Sequence, residues 1–203
     1  MFLKPCFSND VCNFINQIQP ALSQYSEISN LEKKGFTVKP TDAAVFLIFY
    51  REFGKWNIIL TKRSKKVRSH KSEISLPGGT KDIKDLRLID TAIREVKEEI
   101  GLHEKEIHIV GQMHPVYTKT GYKISPFVGV VSGQVKFAID KSEVYELIKF
   151  PLSELYDDAI NKKELKMNDE FVEVVSTYSY QGYFIFGATA KILSEIKMLL
   201  MVV

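Results

Sequence analysis

The period of the hydrophobic pattern changes several times along the chain, and each change marks an element. Residues 43–50 (AAVFLIFY) form an unbroken apolar run rich in β-branched and aromatic side chains, as expected of a strand buried on both faces. A turn at residues 52–55 contains Gly54, and residues 56–61 return as a second strand, so the pair predicts a hairpin. From residue 86 to about residue 100 the period becomes helical. Ile89, Ala92, Ile93, Val96 and Ile100 share one stripe, Asp85 is placed to cap the start, and Gly101 stands where a helix end favours positive φ. Val11, Phe14, Ile15 and Ile18 predict a short amphipathic helix over residues 9–23, interrupted by Pro20.

Residues 107–113 and 124–131 read as strands separated by a loop or hairpin turn at 117–122, and residues 135–137 as a short strand. Ser153 is expected to cap a helical turn at Glu154 and Leu155. Residues 171–178 and 183–186 are strand-like around Gln181 and Gly182, and Gly187 opens a final amphipathic helix carrying Ile192, Leu193, Ile196 and Leu199. Strands and helices alternate irregularly, which points to an α/β or α+β fold built on a mixed sheet.

At 203 residues, 45% hydrophobic and 26% charged, the chain suits one sizeable core. The expected organisation is a domain over residues 41–203, with residues 1–40 as an N-terminal helical extension packed on it. The net charge of +3 does not by itself imply a nucleic-acid partner. Residues 62–71 concentrate six Lys/Arg and one His, but no aromatic side chains interleave for base stacking. Cys6 and Cys12 are too few for a disulfide framework. No run approaches 18 apolar residues, and the first residues lack a signal-peptide layout, so a cytoplasmic protein without a membrane partner is expected.

The chemistry concentrates between Ser75 and Leu102. On the predicted helix, Glu98 falls about 60° to one side of Glu95 and Glu99 about 40° to the other, placing three carboxylates in one arc opposite the apolar stripe. Arg94 lies four residues before Glu98 and can hold it, whereas Glu95 and Glu99 have no cation within the helix on their own face. A hard divalent cation, Mg2+ or Mn2+, would relieve that repulsion. Ahead of the helix, residues 74–76 read as a strand end, and Pro77, Gly78 and Gly79 as a loop whose backbone can approach a metal or phosphate. The basic segment that precedes it brings Arg63 and Arg68, whose guanidinium groups match phosphate oxygens.

Gly79, Arg94, Glu95, Glu98, Glu99, Gly101 and Leu102 resemble the Nudix box of the Nudix hydrolases, which cleave nucleoside diphosphates linked to another moiety. Where the general box has glutamate, eight residues before the arginine, this chain has Leu86, and Asp85 stands six after Gly79. That variant, with Leu60-Thr61-Lys62-Arg63-Ser64, Arg68 and Leu76-Pro77-Gly78-Gly79 upstream, is similar to the coenzyme A pyrophosphatase branch. Ser72 replaces that branch's glycine, Leu76 its phenylalanine and Phe186 its usual tryptophan.

The resemblance implies a Nudix fold, a mixed sheet sandwiched between helices. It implies hydrolysis of coenzyme A or acyl-coenzyme A to 3′,5′-ADP and (acyl-)4′-phosphopantetheine, with Mg2+ or Mn2+. It casts Glu98, Arg94 and Glu95 as catalytic, Glu95, Glu99, Glu98 and Gly79 as metal positions, and Arg63, Arg68, Gly78 and Gly79 as substrate contacts. A further acidic residue is expected near the metal, with Glu143 and Glu146 both open. His114, a single histidine beside Pro115, is read as a local hydrogen-bonding residue. ADP-ribose or a dinucleotide is the alternative substrate. A non-catalytic Nudix-fold binding module is the alternative of another class, marked by loss of a box glutamate, and all three glutamates are present here. A small-molecule substrate is expected, and a homodimer remains open.

Overall fold

The computed structural model describes residues 9–28, 39–64, 72–131, 133, 135–167 and 172–201. Its spine is β1 (Thr41–Glu52), which pairs antiparallel with β2 (Lys55–Arg63) on one side and parallel with β7 (Tyr122–Val131) on the other. Among the described residues the sheet runs β3 (Ile74–Ser75), β2, β1, β7, β5 (His108–Gln112). Three shorter pairings join it: β4 (Gly78–Thr80) on β1, β6 (Val116–Tyr117) on β7, and β8 (Val144–Pro151) on β2. A second antiparallel sheet is ordered β11 (Tyr183–Ile185), β10 (Val172–Tyr180), β9 (Asn161–Met167).

The unbroken apolar run of β1 follows from cover on both faces. Leu47 and Phe49 enter one core with Val11, Ile15, Ile18 and Leu22 of α1 (Asn9–Ile28) and Ile192, Leu193 and Ile196 of α3 (Gly187–Met201). The alternate residues Ala44, Phe46, Ile48 and Tyr50 enter a second core with Ala92, Val96 and Ile100 of α2 (Leu88–Ile100). Each face is therefore half of a sandwich, with α2 the one α-helix among the described residues on the side that carries the carboxylates.

Several local expectations change. The first helix continues through Pro20 to Ile28. Pro20 is exposed, where the lost N–H bond to the Asn16 carbonyl costs less than the packing of Ile18 and Leu22 returns. Residues 135–137 are not a strand. The N–H groups of Ala138 and Asp140 just beyond them bond to the Ile100 and Glu99 carbonyls at the end of α2, while Phe137 packs edge-on against Tyr50. Ser153 is not a cap. The 3-10 turn Leu152–Tyr156 starts after Pro151, with no side-chain cap bond. Pro77 to Gly79 do not form a free loop, because Gly78 and Gly79 pair with Val45 and Ala44.

Both two-residue hairpin turns have left-handed backbone at both centres, with φ of 47° and 77° at Phe53 and Gly54 and of 48° and 79° at Gln181 and Gly182. Phe53 is 97% exposed, so its ring offsets none of the steric cost of that conformation. Phe53→Asn should therefore stabilise the protein by about 1 kcal/mol, asparagine being tolerant of this region. A rise of roughly 2–4 °C in the thermal midpoint is expected, and a fall would show that the ring is held by contacts that its exposure does not reveal.

Candidate active site

Helix α2 begins at Leu88, two residues later than the pattern predicts, and its cap is not Asp85. Asp90 reaches back to accept the Arg87 N–H at 2.8 Å and its guanidinium at 2.7 Å. Asp85 is buried and otherwise engaged. It accepts Arg94 Nε at 3.2 Å and Nη2 at 3.1 Å, and also the Asp82 N–H at 2.9 Å. The Arg94 guanidinium holds the Asp85 carboxyl at about 2, well below its ordinary value, and Asp85 in turn raises the pKa of Arg94.

Held from below, Arg94 spreads across the acidic face. Its Nη1 is 2.9 Å from Glu98 Oε2, as the spacing predicts, and 2.9 Å from Glu95 Oε1. The expectation that Glu95 lacks a cation from its own helix is thus corrected: the pull of Asp85 lays the guanidinium over Glu95 as well. A further bond from Nη2 to the Thr80 carbonyl at 3.2 Å ties α2 to β4.

Glu99 points inward at 1% exposure and accepts the Gly78 N–H at 3.2 Å. Burial, reinforced by Glu95 and Glu143 and opposed by Arg63 and the Gly78 N–H, pushes its carboxyl up to about 8. Burial also raises Glu95. A Cβ at Gly79 would collide with the Glu95 carboxylate as it stands, so any side chain there would displace that carboxylate. Arg63, at the end of β2, sets Nη1 3.6 Å from Glu99 Oε1, too long for a strong hydrogen bond. Its buried Nε has no hydrogen-bond partner.

The third carboxylate comes from outside the helix. Carboxylate oxygens of Glu95, Glu99 and Glu143 lie within 4.8 Å of one another. Glu143 is delivered there because the segment after β7 satisfies the last carbonyls of α2 and then donates the Glu143 N–H to the Asp140 carbonyl, while the Glu143 carbonyl accepts the Ser64 N–H at 2.8 Å. Glu146, the other candidate, acts on Tyr183 instead, raising the pKa of its hydroxyl. Of the residues singled out from the sequence, the fold brings Glu95, Glu99, Gly78, Gly79 and Arg63 together. Glu98 is half exposed, held by Arg94 and outside the three-carboxylate cluster. Arg68 lies outside the described residues. Glu143 had no periodicity to fix it, and Asp85 was legible as an acid but not as the partner of Arg94.

Three convergent carboxylates, one of them buried and held near neutrality by its surroundings, are a donor set for a hard divalent cation: all oxygen, mutually repelling when ionised, and otherwise costly to bury. The residues present therefore fit Mg2+ or Mn2+.

A family model described as the NUDIX domain matches residues 40–175. The chain is 30% identical over 185 residues to the uncharacterized Nudix hydrolase NudL of Yersinia pestis (strain Pestoides F), across 90% of this chain and 91% of that protein. It is 32% identical over 145 residues to the protein of the same name from Yersinia enterocolitica, across 70% and 73%. Among solved structures, the Nudix hydrolase RenU from M. smegmatis is similar in fold, with a TM-score of 0.53 and 16% identity across 82% of this chain and 91% of that one. No described helix is long and apolar enough to cross a membrane. A mixed sheet between helices, an acidic helix facing a glycine strand, and a family match that spans both place this chain in the Nudix hydrolase family.

Proposed function

We propose that the chain hydrolyses the pyrophosphate linkage of coenzyme A or an acyl-coenzyme A, releasing 3′,5′-ADP and (acyl-)4′-phosphopantetheine. The observation that carries the hydrolytic part is the convergence of Glu95, Glu99 and Glu143 beside the Arg63 guanidinium and the Gly78–Gly79 backbone. A divalent cation bound there would neutralise the phosphate oxygens and acidify a water molecule. The protein's own groups do the rest. Glu95 and Glu99 hold the donor oxygens at fixed positions, and Arg94 fixes Glu95 and Glu98 through hydrogen bonds without touching substrate. Glu98, the most exposed of the helix carboxylates, has room to take a proton from the attacking water. Arg63, with donor capacity left open, pairs with a phosphate oxygen of the scissile linkage.

Support for coenzyme A over other nucleoside diphosphate derivatives comes from the run Leu60 to Ser64 and the stretch Leu76 to Gly79. The former ends at Arg63 beside the carboxylates, and the latter supplies the Gly78 and Gly79 backbone. Arg63 at Glu99 suits the pyrophosphate better than a remote 3′-phosphate, and recognition of the latter falls to Arg68. Coenzyme A, 3′-dephospho-coenzyme A, ADP-ribose and NADH incubated separately with Mg2+ or Mn2+ test the reading, with products identified by mass. Coenzyme A should give the highest kcat/KM, and Arg68→Ala should erase its preference over the dephospho form by roughly ten- to a hundredfold, the worth of a phosphate–guanidinium pair. Equal turnover of both forms, or preference for ADP-ribose, rejects coenzyme A and leaves a general pyrophosphatase.

A further inference from the structure

The three carboxylates that converge on the proposed metal position are not held alike. Glu95 is bonded by Arg94 at 2.9 Å, and Glu99 accepts the Gly78 N–H at 3.2 Å. Glu143, partly buried, has no such hydrogen bond to its carboxylate among the described residues. Its aim therefore depends on the backbone that carries it, a turn over residues 140–144 between the end of α2 and the start of β8.

Main-chain bonds pin that turn at both ends. The Asp140 N–H donates to the Glu99 carbonyl at 3.1 Å, and the Glu143 carbonyl accepts the Ser64 N–H at 2.8 Å. The segment lies so close to the helix end that a Cβ on Gly101 would stand 2.7 Å from the Ala138 Cβ. Within the turn, the Asp140 carbonyl accepts the N–H groups of Glu143 at 3.1 Å and of Val144 at 2.8 Å, as in one turn of helix. The Asp140 side chain then acts as a capping group. Its Oδ1 accepts the Ser142 N–H at 2.8 Å and the Ser142 hydroxyl at 2.7 Å. Across the turn, Lys141 Nζ donates to the Tyr145 carbonyl at 3.0 Å. Asp140 itself is exposed and, unlike Glu143, does not belong to the carboxylate cluster.

We propose that Asp140 is a positioning residue for the metal centre: through its bonds to Ser142, its carboxylate fixes the turn that aims Glu143 at Glu95 and Glu99. The inference rests on the reading of that cluster as a divalent-metal site. Without the side-chain acceptor the Ser142 N–H turns to water, and the turn has to be ordered when the metal binds, which weakens the affinity. The rival account is attraction of the cation by the Asp140 charge itself. Asparagine separates the two, because its carbonyl oxygen accepts both Ser142 bonds without carrying a charge.

The test is calorimetric titration of Mn2+ into the metal-free full-length chain without substrate, with the thermal midpoint of each variant measured as a check on folding. Asp140→Ala should weaken Mn2+ binding roughly three- to thirtyfold, the equivalent of a lost capping bond. Asp140→Asn should stay within about twofold of wild type, since asparagine caps as well as aspartate. Ser142→Ala, which keeps the N–H bond and loses the hydroxyl, should fall between them. In a Glu143→Gln background, Asp140→Ala should weaken Mn2+ no further, because the residue through which it acts has already been changed. Wild-type affinity in Asp140→Ala, equal weakening by alanine and asparagine, or a full additional loss in the Glu143→Gln background overturns the positioning role. A wild type that binds no Mn2+ rejects the metal centre and this inference together. Mn2+ binding with the expected pattern among the variants, but no hydrolysis of coenzyme A, upholds the inference and rejects the proposed substrate alone.

Discussion

Glu99→Gln is expected to lower kcat/KM at least about a hundredfold and, in metal-free buffer at pH 8, to make the protein more stable than wild type. The first effect follows from the proposed role: glutamine offers one neutral oxygen where a hard cation requires charge. The second follows from burial. Glu99 is 1% exposed, and its carboxyl is pushed from 4.5 to about 8, with desolvation as the largest cause and the Glu95 and Glu143 charges adding to it. A folded-state value raised above the unfolded one means that stability is fully present below about pH 4.5. It is lost as pH rises towards 8, because the unfolded chain releases the proton first. At pH 8 the loss is on the order of 4 kcal/mol.

Glutamine mimics the protonated form and still accepts the Gly78 N–H. The metal-free variant should therefore melt roughly 5–15 °C above wild type at pH 8, with the gap closing near pH 5. Added Mg2+ should raise the wild-type midpoint at pH 8 and leave the variant's unmoved. Activity within twofold of wild type would remove Glu99 from the proposed metal centre, and identical melting at both pH values would show that burial does not raise its carboxyl. Glu95→Gln should lose activity similarly with a smaller gain in stability, since Arg94 already offsets part of the burial of that carboxylate.

The parts of this fold that the sequence discloses are those in which one strong periodicity has one structural outcome. Residues 43–50 are apolar at every position because α2 covers one face of β1 and α1 and α3 the other, and the helix stripe from Ile89 to Ile100 ends at a glycine with φ of 71°. Strand β9 escapes the same reading because NKKELKM alternates too weakly to look buried, and as the outer strand of its sheet it needs only backbone partners in β10. The site divides in the same way. Glu95 and Glu99 are legible because helical geometry relates them directly. Glu143 reaches them through a segment without regular structure, whose course is set by α2's unsatisfied carbonyls. Ser72 is a related case: it occupies the position where the resembling branch has glycine, and its φ of 62° shows what that glycine would relieve.

Arg94 should be the residue whose conservative replacement is least conservative. Four acceptors converge on its fork: Asp85 bidentately, Glu95, Glu98 and the Thr80 carbonyl. A single ammonium at the end of a lysine cannot replace both bonds, since Asp85 is held by Nε and Nη2 and Glu98 by Nη1. Arg94→Lys is therefore expected to lower kcat about ten- to a hundredfold with little change in KM, because it loosens Glu95 and Glu98 without removing a substrate contact. It should also destabilise the fold, since the buried Asp85 carboxylate loses its bidentate partner, at a cost of roughly 1–3 kcal/mol. The pH dependence identifies the cause. Asp85 sits at about 2 in the fold against an ordinary 3.8, so its contribution is present above pH 3.8 and disappears as pH falls through 2. The midpoint difference between wild type and Arg94→Lys should accordingly be full at pH 6 and shrink below pH 3. In an Asp85→Asn background, Arg94→Lys should cost less stability than in wild type, the mark of a direct pair. An unchanged kcat with a raised KM would make Arg94 a substrate-binding residue, and additive stability losses in the double variant would show that Asp85 is not what holds it in place.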